Sequence, residues 1–242
     1  ESSLRRRLGI STDRLDMGQS AVVAICSFSG EQQGTAFERF TADGPLALLP
    51  LPTVSAGQQR FNMVWSMTPE SADTLMKAAD SAFLSALQSA FGWRLGKAQA
   101  VGRRTLWPLE RVRAKEQTRA GLLVAGNAAH GLHPVAGQGL NLSLRDAATL
   151  EQVLILGSQA GLAPGDPLSL ARYQDLVSTD QALVIGATDS LATLFRRRGP
   201  LLDWPRDAAL AGLDLLPPLR QRIAQGGTGA AFMIPPPSLT SV

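Results

Sequence analysis

Between residues 18 and 67 the apolar residues alternate with polar ones in short runs, and after residue 70 they recur every three to four positions. That switch of period constrains the fold more than any other feature of the chain, because a period of two suits a strand and a period near 3.6 suits a helix. The runs "SAVVAICSF", "TAFERFT", "LALLPLP" and "RFNMVWSM" read as strands. In the second of them Ala36, Glu38 and Phe40 lie opposite Phe37 and Arg39. Turn signals at Gly30–Gly34, Asp43-Gly44-Pro45 and Ala56-Gly57 separate the runs. Short connections between consecutive strands predict a largely antiparallel sheet. Downstream, "SADTLMKAADSAFLSALQSAF" places Leu75, Ala79, Phe83, Leu87 and Phe91 on one stripe, which predicts a single helix closed by Gly92.

The rest of the chain is more helical. "SSLRRRLGI" reads as a short helix or turn stopped by Gly9, and "RRTLWPLER" as another strand. "GLLVAG" is a short, fully apolar run of the kind found inside a parallel sheet. A loop over Gly161–Pro167 leads to a long helical region with an expected break near Gly186. Helical pattern continues through residues 201–225, interrupted at Pro217-Pro218, and the tail from Gly226 is irregular. The class is therefore α+β.

Charge and targeting signals exclude several functions. Lys and Arg number 23 against 20 Asp and Glu, a net charge of only +3. The basic residues form short clusters at Arg5–Arg7, Arg103-Arg104, Arg111–Arg119 and Arg196–Arg198, without the interleaved aromatic residues of a nucleic-acid stacking platform. They read as solvated faces, and no nucleic-acid partner is expected. No apolar run reaches the roughly 18 residues needed to cross a membrane. The opening "ESSLRRRLGI" has no initiator Met and no apolar stretch behind it, so the chain is expected to be an internal start within a longer protein. Cys26, alone, forms no internal disulfide and is expected to be a buried, inert thiol.

The densest chemistry lies in "VAGNAAHGLHPVAGQGLNLSLRDAATL", residues 124–150. An apolar strand runs into a Gly-rich loop and then a helix starting near Gly139, with Leu140, Leu144, Ala147, Leu150 and Leu154 expected on one face. Gly137 and Gly139 allow close backbone approach to a ligand, and the helix start aims free N–H groups and a positive dipole end across the loop. Spacing alone leaves open a strand–helix turn that holds nothing, since neither Gly-x-Gly-x-x-Gly nor a Lys-Ser/Thr phosphate loop occurs. His130 and His133 sit three apart in a loop with no carboxylate or thiol at ligand spacing, so no metal site is expected. No Gly-x-Ser-x-Gly elbow supports a hydrolase.

"GLLVAGNAAHGLHPVAGQGLNLSLRDAATL" resembles the C-terminal flavin signature of the class A flavoprotein aromatic hydroxylases, the para-hydroxybenzoate hydroxylase superfamily. "GTAFERFTADGPLALLP" and "SAFGWRLGK" are similar to its ubiquinone-biosynthesis branch, in particular the 2-octaprenyl-6-methoxyphenol hydroxylases. The resemblance covers residues 1 to about 220 and implies the C-terminal part of a para-hydroxybenzoate-hydroxylase-like fold, with the N-terminal dinucleotide-binding unit missing. It implies four segments: residues 1–17 from the FAD domain, 18–110 a substrate-binding sheet domain, 111–160 the FAD-domain strand–loop–helix, and 161–242 a helical region and tail. It further implies FAD as cofactor, contacted by Asn127 at the ribityl chain, Pro134 along the ring, and Gly137, Gln138, Gly139, Leu140 and Asn141 at the pyrimidine end. Asn127 stands where the family usually has Asp, and can still accept and donate. His130 matches a common family position near the flavin but is read as bonding loop backbone. Arg145 and Asp146 match a charged pair read as a local salt bridge or cap.

The implied reaction is ring hydroxylation of a polyprenylated phenol with NAD(P)H and O₂ through a flavin C4a-hydroperoxide, with no catalytic acid–base residue. The missing Gly-x-Gly-x-x-Gly unit implies that these residues alone bind FAD weakly or not at all and are inactive. A cytoplasmic protein is implied, with peripheral contact to the inner membrane through Arg196–Arg198 and a place in a multiprotein complex. Alternatives are a sister hydroxylase acting at another ring position, a non-catalytic assembly subunit, or a halogenase or reductase of the same fold.

Overall fold

Strand β1 (Thr12–Phe28) is longer than its alternating pattern predicts, beginning before Gly18, whose φ of 61° kinks it. The computed structural model describes residues 2–30, 34–52, 59–132 and 137–196, except the side chains of residues 189 and 191–196. The chain divides into two compact units, Asp16–Leu109 and Glu1–Leu15 with the chain from Glu110 on.

In the first unit β2 (Phe37–Phe40), β3 (Pro45–Pro50) and β4 (Gln59–Met67) follow in the expected places, ordered β2-β3-β4-β1 and all antiparallel. A further strand, β5 (Ala98–Val101), pairs with β1. One sheet face carries Val22, Ala24, Cys26, Phe28, Leu46, Leu48, Phe61, Met63 and Trp65, all buried. Phe28, Phe37, Phe61 and Phe91 interlock there edge-to-face or tilted, with centroids 5.7–6.4 Å apart. Two helices cover this face: α2 (Pro69–Lys77) and α3 (Asp80–Phe91). The single helix expected over residues 71–91 is thus two, because Ala78 and Ala79 are extended, with ψ of 146° and 154°. The cause is tertiary. The Arg104 guanidinium sits 4.5 Å from the Phe83 ring centroid. Its Nη1 donates to the carbonyls of Leu75 (3.3 Å), Met76 (3.4 Å) and Ala78 (2.5 Å), and Nη2 bonds Asp80. Those are the carbonyls that a helix leaves open at its C-terminal end.

In the second unit, α1 (Ser3–Arg7) has Ser2 as N-cap and ends before Gly9, at φ 70°. Arg5 departs from the expected solvated face: it is buried, and its Nη1 donates to the Ala128 carbonyl at 2.5 Å. Strand β6 (Thr105–Ala114) enters this unit. The apolar run "GLLVAG" forms β8 (Leu122–Leu123), which pairs antiparallel with β7 (Thr118–Arg119) among the described residues. A 3₁₀ turn (Gly126–Ala128) and β9 (His130–Gly131), antiparallel to β6, lead on to the helices. Helix α4 (Gln138–Gln159) packs on α5 (Pro167–Arg196), which runs without the expected break at Gly186. The two helices cross where Gly157 is buried against Ser169. The helical pattern over residues 201–225 and the tail lie outside the described residues.

Candidate functional site

The start of α4 is built as the loop pattern requires. Gly137 is its N-cap with φ 60°, a left-handed conformation that glycine adopts without strain, and it brings no side chain of its own to the first N–H groups. Among the described residues, a Cβ added at Gly137 or Gly139 would meet nothing within 4 Å. Gln138, Gly139 and Asn141 are half-buried, while Leu140 is 69% exposed. Asn127 is exposed on the 3₁₀ turn, which enters through Gly126 at φ 59°. Pro134 and His133 lie outside the described residues. A helix start aims its N–H groups and positive dipole end outward, the donor arrangement that stabilises negative charge on a ligand. The residues present therefore fit the electron-rich pyrimidine end of a flavin.

The face of α4 that packs inward differs from the predicted stripe. Leu142, Asp146, Val153 and Gly157 are buried, whereas Leu140 and Leu144 are exposed. The deciding contact is polar. His130 Nε2 lies 2.6 Å from Asp146 Oδ2, with side chains 0% and 1% exposed. The same Oδ2 accepts from Gln181 Nε2 at 3.0 Å, and Gln181 exchanges two hydrogen bonds with Gln117, at 2.9 and 3.2 Å. His130 thus bonds a carboxylate and not the loop backbone. A carboxylate only accepts, so His130 carries its proton on Nε2. Arg145 and Asp146 do not pair with each other, since Arg145 reaches Asp180 in two bonds of 2.8 and 3.3 Å. Their side chains point to opposite partners because neighbours in a helix sequence face about 100° apart. Nearby Tyr173 is fully buried, and burial, then the Asp146 charge, raises its phenol above the ordinary range. Sequence reading missed this cluster: its members are up to 64 positions apart, and only a His at a strand end and an Asp within the following helix gave any signal.

In the other unit the second face of the sheet is open. The register aligns Ala47, Val64 and Val23 in one row and Leu49, Asn62 and Ile25 in the next. Ile25 is 46% and Leu49 is 42% exposed, in an apolar surface interrupted by the Asn62 amide and bordered by the exposed Glu38, which pairs with Ala47. Among the described residues no group of three His, Cys, Asp or Glu could hold a metal, and no helix is long and apolar enough to cross a membrane.

Residues 2–164 match the family model for the FAD binding domain. The chain is 32% identical over 236 residues to the ubiquinone hydroxylase UbiL of Rhodospirillum rubrum, covering 98% of this chain and 54% of that protein. It is 27% identical over 256 residues to the mitochondrial ubiquinone biosynthesis monooxygenase COQ6 of Danio rerio, covering 92% and 52%. The solved structure of p-nitrophenol 4-monooxygenase PnpA from Pseudomonas putida DLL-E4 has the same fold, with a TM-score of 0.64 at 18% identity, covering 92% of this chain and 55% of that one. The chain spans about half the length of the curated relatives it matches.

Proposed function

Since the chain belongs to the FAD-binding-domain family of the flavoprotein aromatic hydroxylases, we propose that it forms the ring end of an FAD site and the wall of a site for a polyprenylated phenol of ubiquinone biosynthesis. The observation that carries this reading is the glycine-lined start of α4, opened by Gly137 at positive φ, inside the segment that matches the FAD binding domain. Bound FAD, reduced by NAD(P)H, supplies the oxygen-activating chemistry. The protein's part is to bind, orient and exclude water. The N–H groups of Gly139 to Asn141 would serve the pyrimidine end and favour the reduced, negatively charged ring. Asn127 would bond the ribityl chain, and the resemblance also assigns Pro134, outside the described residues, to the ring. The open sheet face around Val23, Ile25, Leu49 and Val64 keeps the phenol site dry, with Asn62 as its polar contact. No general acid or base is assigned, consistent with oxygen chemistry that resides in the cofactor. Contact with the inner membrane and with other proteins of the pathway belongs to the same proposal, although its basic candidates Arg197 and Arg198 lie outside the described residues.

The test is the complete gene product supplied with NADH or NADPH and a polyprenyl-phenol. The expected outcome is phenol-stimulated oxidation of the nucleotide and a product heavier by one oxygen, whose fragmentation assigns the ring position. Flavin-free protein, or nucleotide oxidation with no oxygen transferred, overturns the proposal. No Gly-x-Gly-x-x-Gly occurs in these 242 residues, so alone they are expected to hold FAD weakly. Tight stoichiometric flavin on this polypeptide would refute that part.

A further inference from the structure

We propose that His130 and Asp146 are positioning residues for the flavin, setting where the first turn of α4 stands relative to β9; the inference rests on the FAD reading above. The hydrogen-bonded cluster joins four separate pieces of chain: Gln117 between β6 and β7, His130 in β9, Asp146 in the third turn of α4, and Gln181 in α5. The His130–Asp146 bond spans 16 positions. Every expected flavin contact from Pro134 to Asn141 lies between its two ends, and Asn127 lies just before them. A buried polar pair is a poor source of net stability, because desolvation offsets most of the attraction. Among the described residues, this one also leaves His130 Nδ1, Asp146 Oδ1 and the Tyr173 hydroxyl buried without a protein partner. An apolar interior of the same volume would avoid that cost. What the polar cluster adds is direction: a carboxylate that accepts both the imidazole and the Gln181 amide admits only one rotation of α4 about its axis. That rotation leaves Leu140 and Leu144 on the outside and sets where the first turn of α4 presents its N–H groups.

The experiment uses the complete gene product and reads FAD dissociation constant, flavin midpoint potential and Tm together. Asp146→Asn and His130→Ala are expected to weaken FAD by about tenfold or more and to lower the midpoint potential, since ångström-scale misplacement of donors has effects of this order. His130→Gln, which keeps a donor toward Asp146, is expected to recover FAD affinity to within about threefold of wild type. The control is Asp180→Asn, which breaks the neighbouring Arg145 ion pair on the same two helices. It is expected to lower Tm while leaving affinity and potential unchanged. Gln181→Met removes one of the two donors to the carboxylate and is read in place of Asp146→Asn if that variant does not fold. Variants that lose Tm but keep wild-type affinity and potential would show a merely structural cluster and overturn the inference. Wild-type protein that carries no FAD overturns the flavin reading, and this inference with it.

Discussion

Replacing Arg104 by Met should separate the two helices that cover the sheet from the residue that holds their junction. The Arg104 side chain is only 9% exposed, and its Nη1 alone serves the carbonyls of Leu75, Met76 and Ala78. Because one N–H group is shared, the set counts as about one strong charge-assisted bond, roughly 1.5–3 kcal/mol. The contact with the Phe83 ring, at 4.5 Å, adds about 1 kcal/mol. The Asp80 carboxylate is 74% exposed and adds between about 0 and 1 kcal/mol, because water screens it. The total is about 3 kcal/mol. In a chain of this size each kcal/mol moves Tm by roughly 2–4 °C, so Arg104→Met should lower Tm by about 6–12 °C. Arg104→Lys keeps the charge but not the planar fork, and should recover less than half of the loss. Thermal denaturation followed by far-ultraviolet circular dichroism measures both. A Tm within about 2 °C of wild type for Arg104→Met would refute the reasoning, because it falls below the effect of even one such bond.

Two further outcomes follow from packing and burial. A Cβ on Gly157 would lie 2.7 Å from the Ser169 hydroxyl at the α4–α5 crossing. Gly157→Ala should therefore be about 1 kcal/mol more favourable in a Ser169→Ala background than in wild type, and additivity in a denaturation cycle would contradict the close approach. Burial, opposed only in part by Arg104, pushes the Cys26 thiol from 9.0 up to about 12. Native protein should thus resist thiol labelling at pH 8 and react fully in denaturant. Above pH 9 the unfolded chain releases a proton that the folded chain keeps, so this contribution to stability is complete below pH 9 and is lost as pH rises toward 12. Denaturant midpoints that rise over that window in wild type relative to Cys26→Ala would contradict it.

Much of the architecture was legible because it depends on neighbours in the chain. Alternation marked β1 to β4 in the correct places, since a half-buried strand needs one apolar residue in two. Gly9 and Gly92 ended helices where the pattern put them, each at a positive φ, and α4 opened one residue before the expected start near Gly139. The loop at residues 126–141 was legible for the same reason: strand, Gly-x-Gly and helix start are all local. Other features were decided by residues far apart. The stripe from Leu75 to Phe91 is a valid helical pattern, yet Arg104, 26 residues beyond Ala78, supplies the bonds that stop α2 there. The apolar stripe on α4 was misassigned because a polar residue, Asp146, faces inward to meet His130 and Gln181. No hydrophobicity pattern foresees a buried carboxylate, because its position is favourable only once its donors are already in place.

The sequence by itself thus determined the places of β1 to β4, the approximate start of α4 and the chemical character of the loop at residues 126–141, all of which follow from local conformational preference and periodicity. Only the tertiary structure decided which face of α4 turns inward, where α2 stops, and that His130 answers Asp146. Those choices depend on hydrogen bonds between partners 16 to 64 positions apart, and such partners meet only after the elements that carry them have packed.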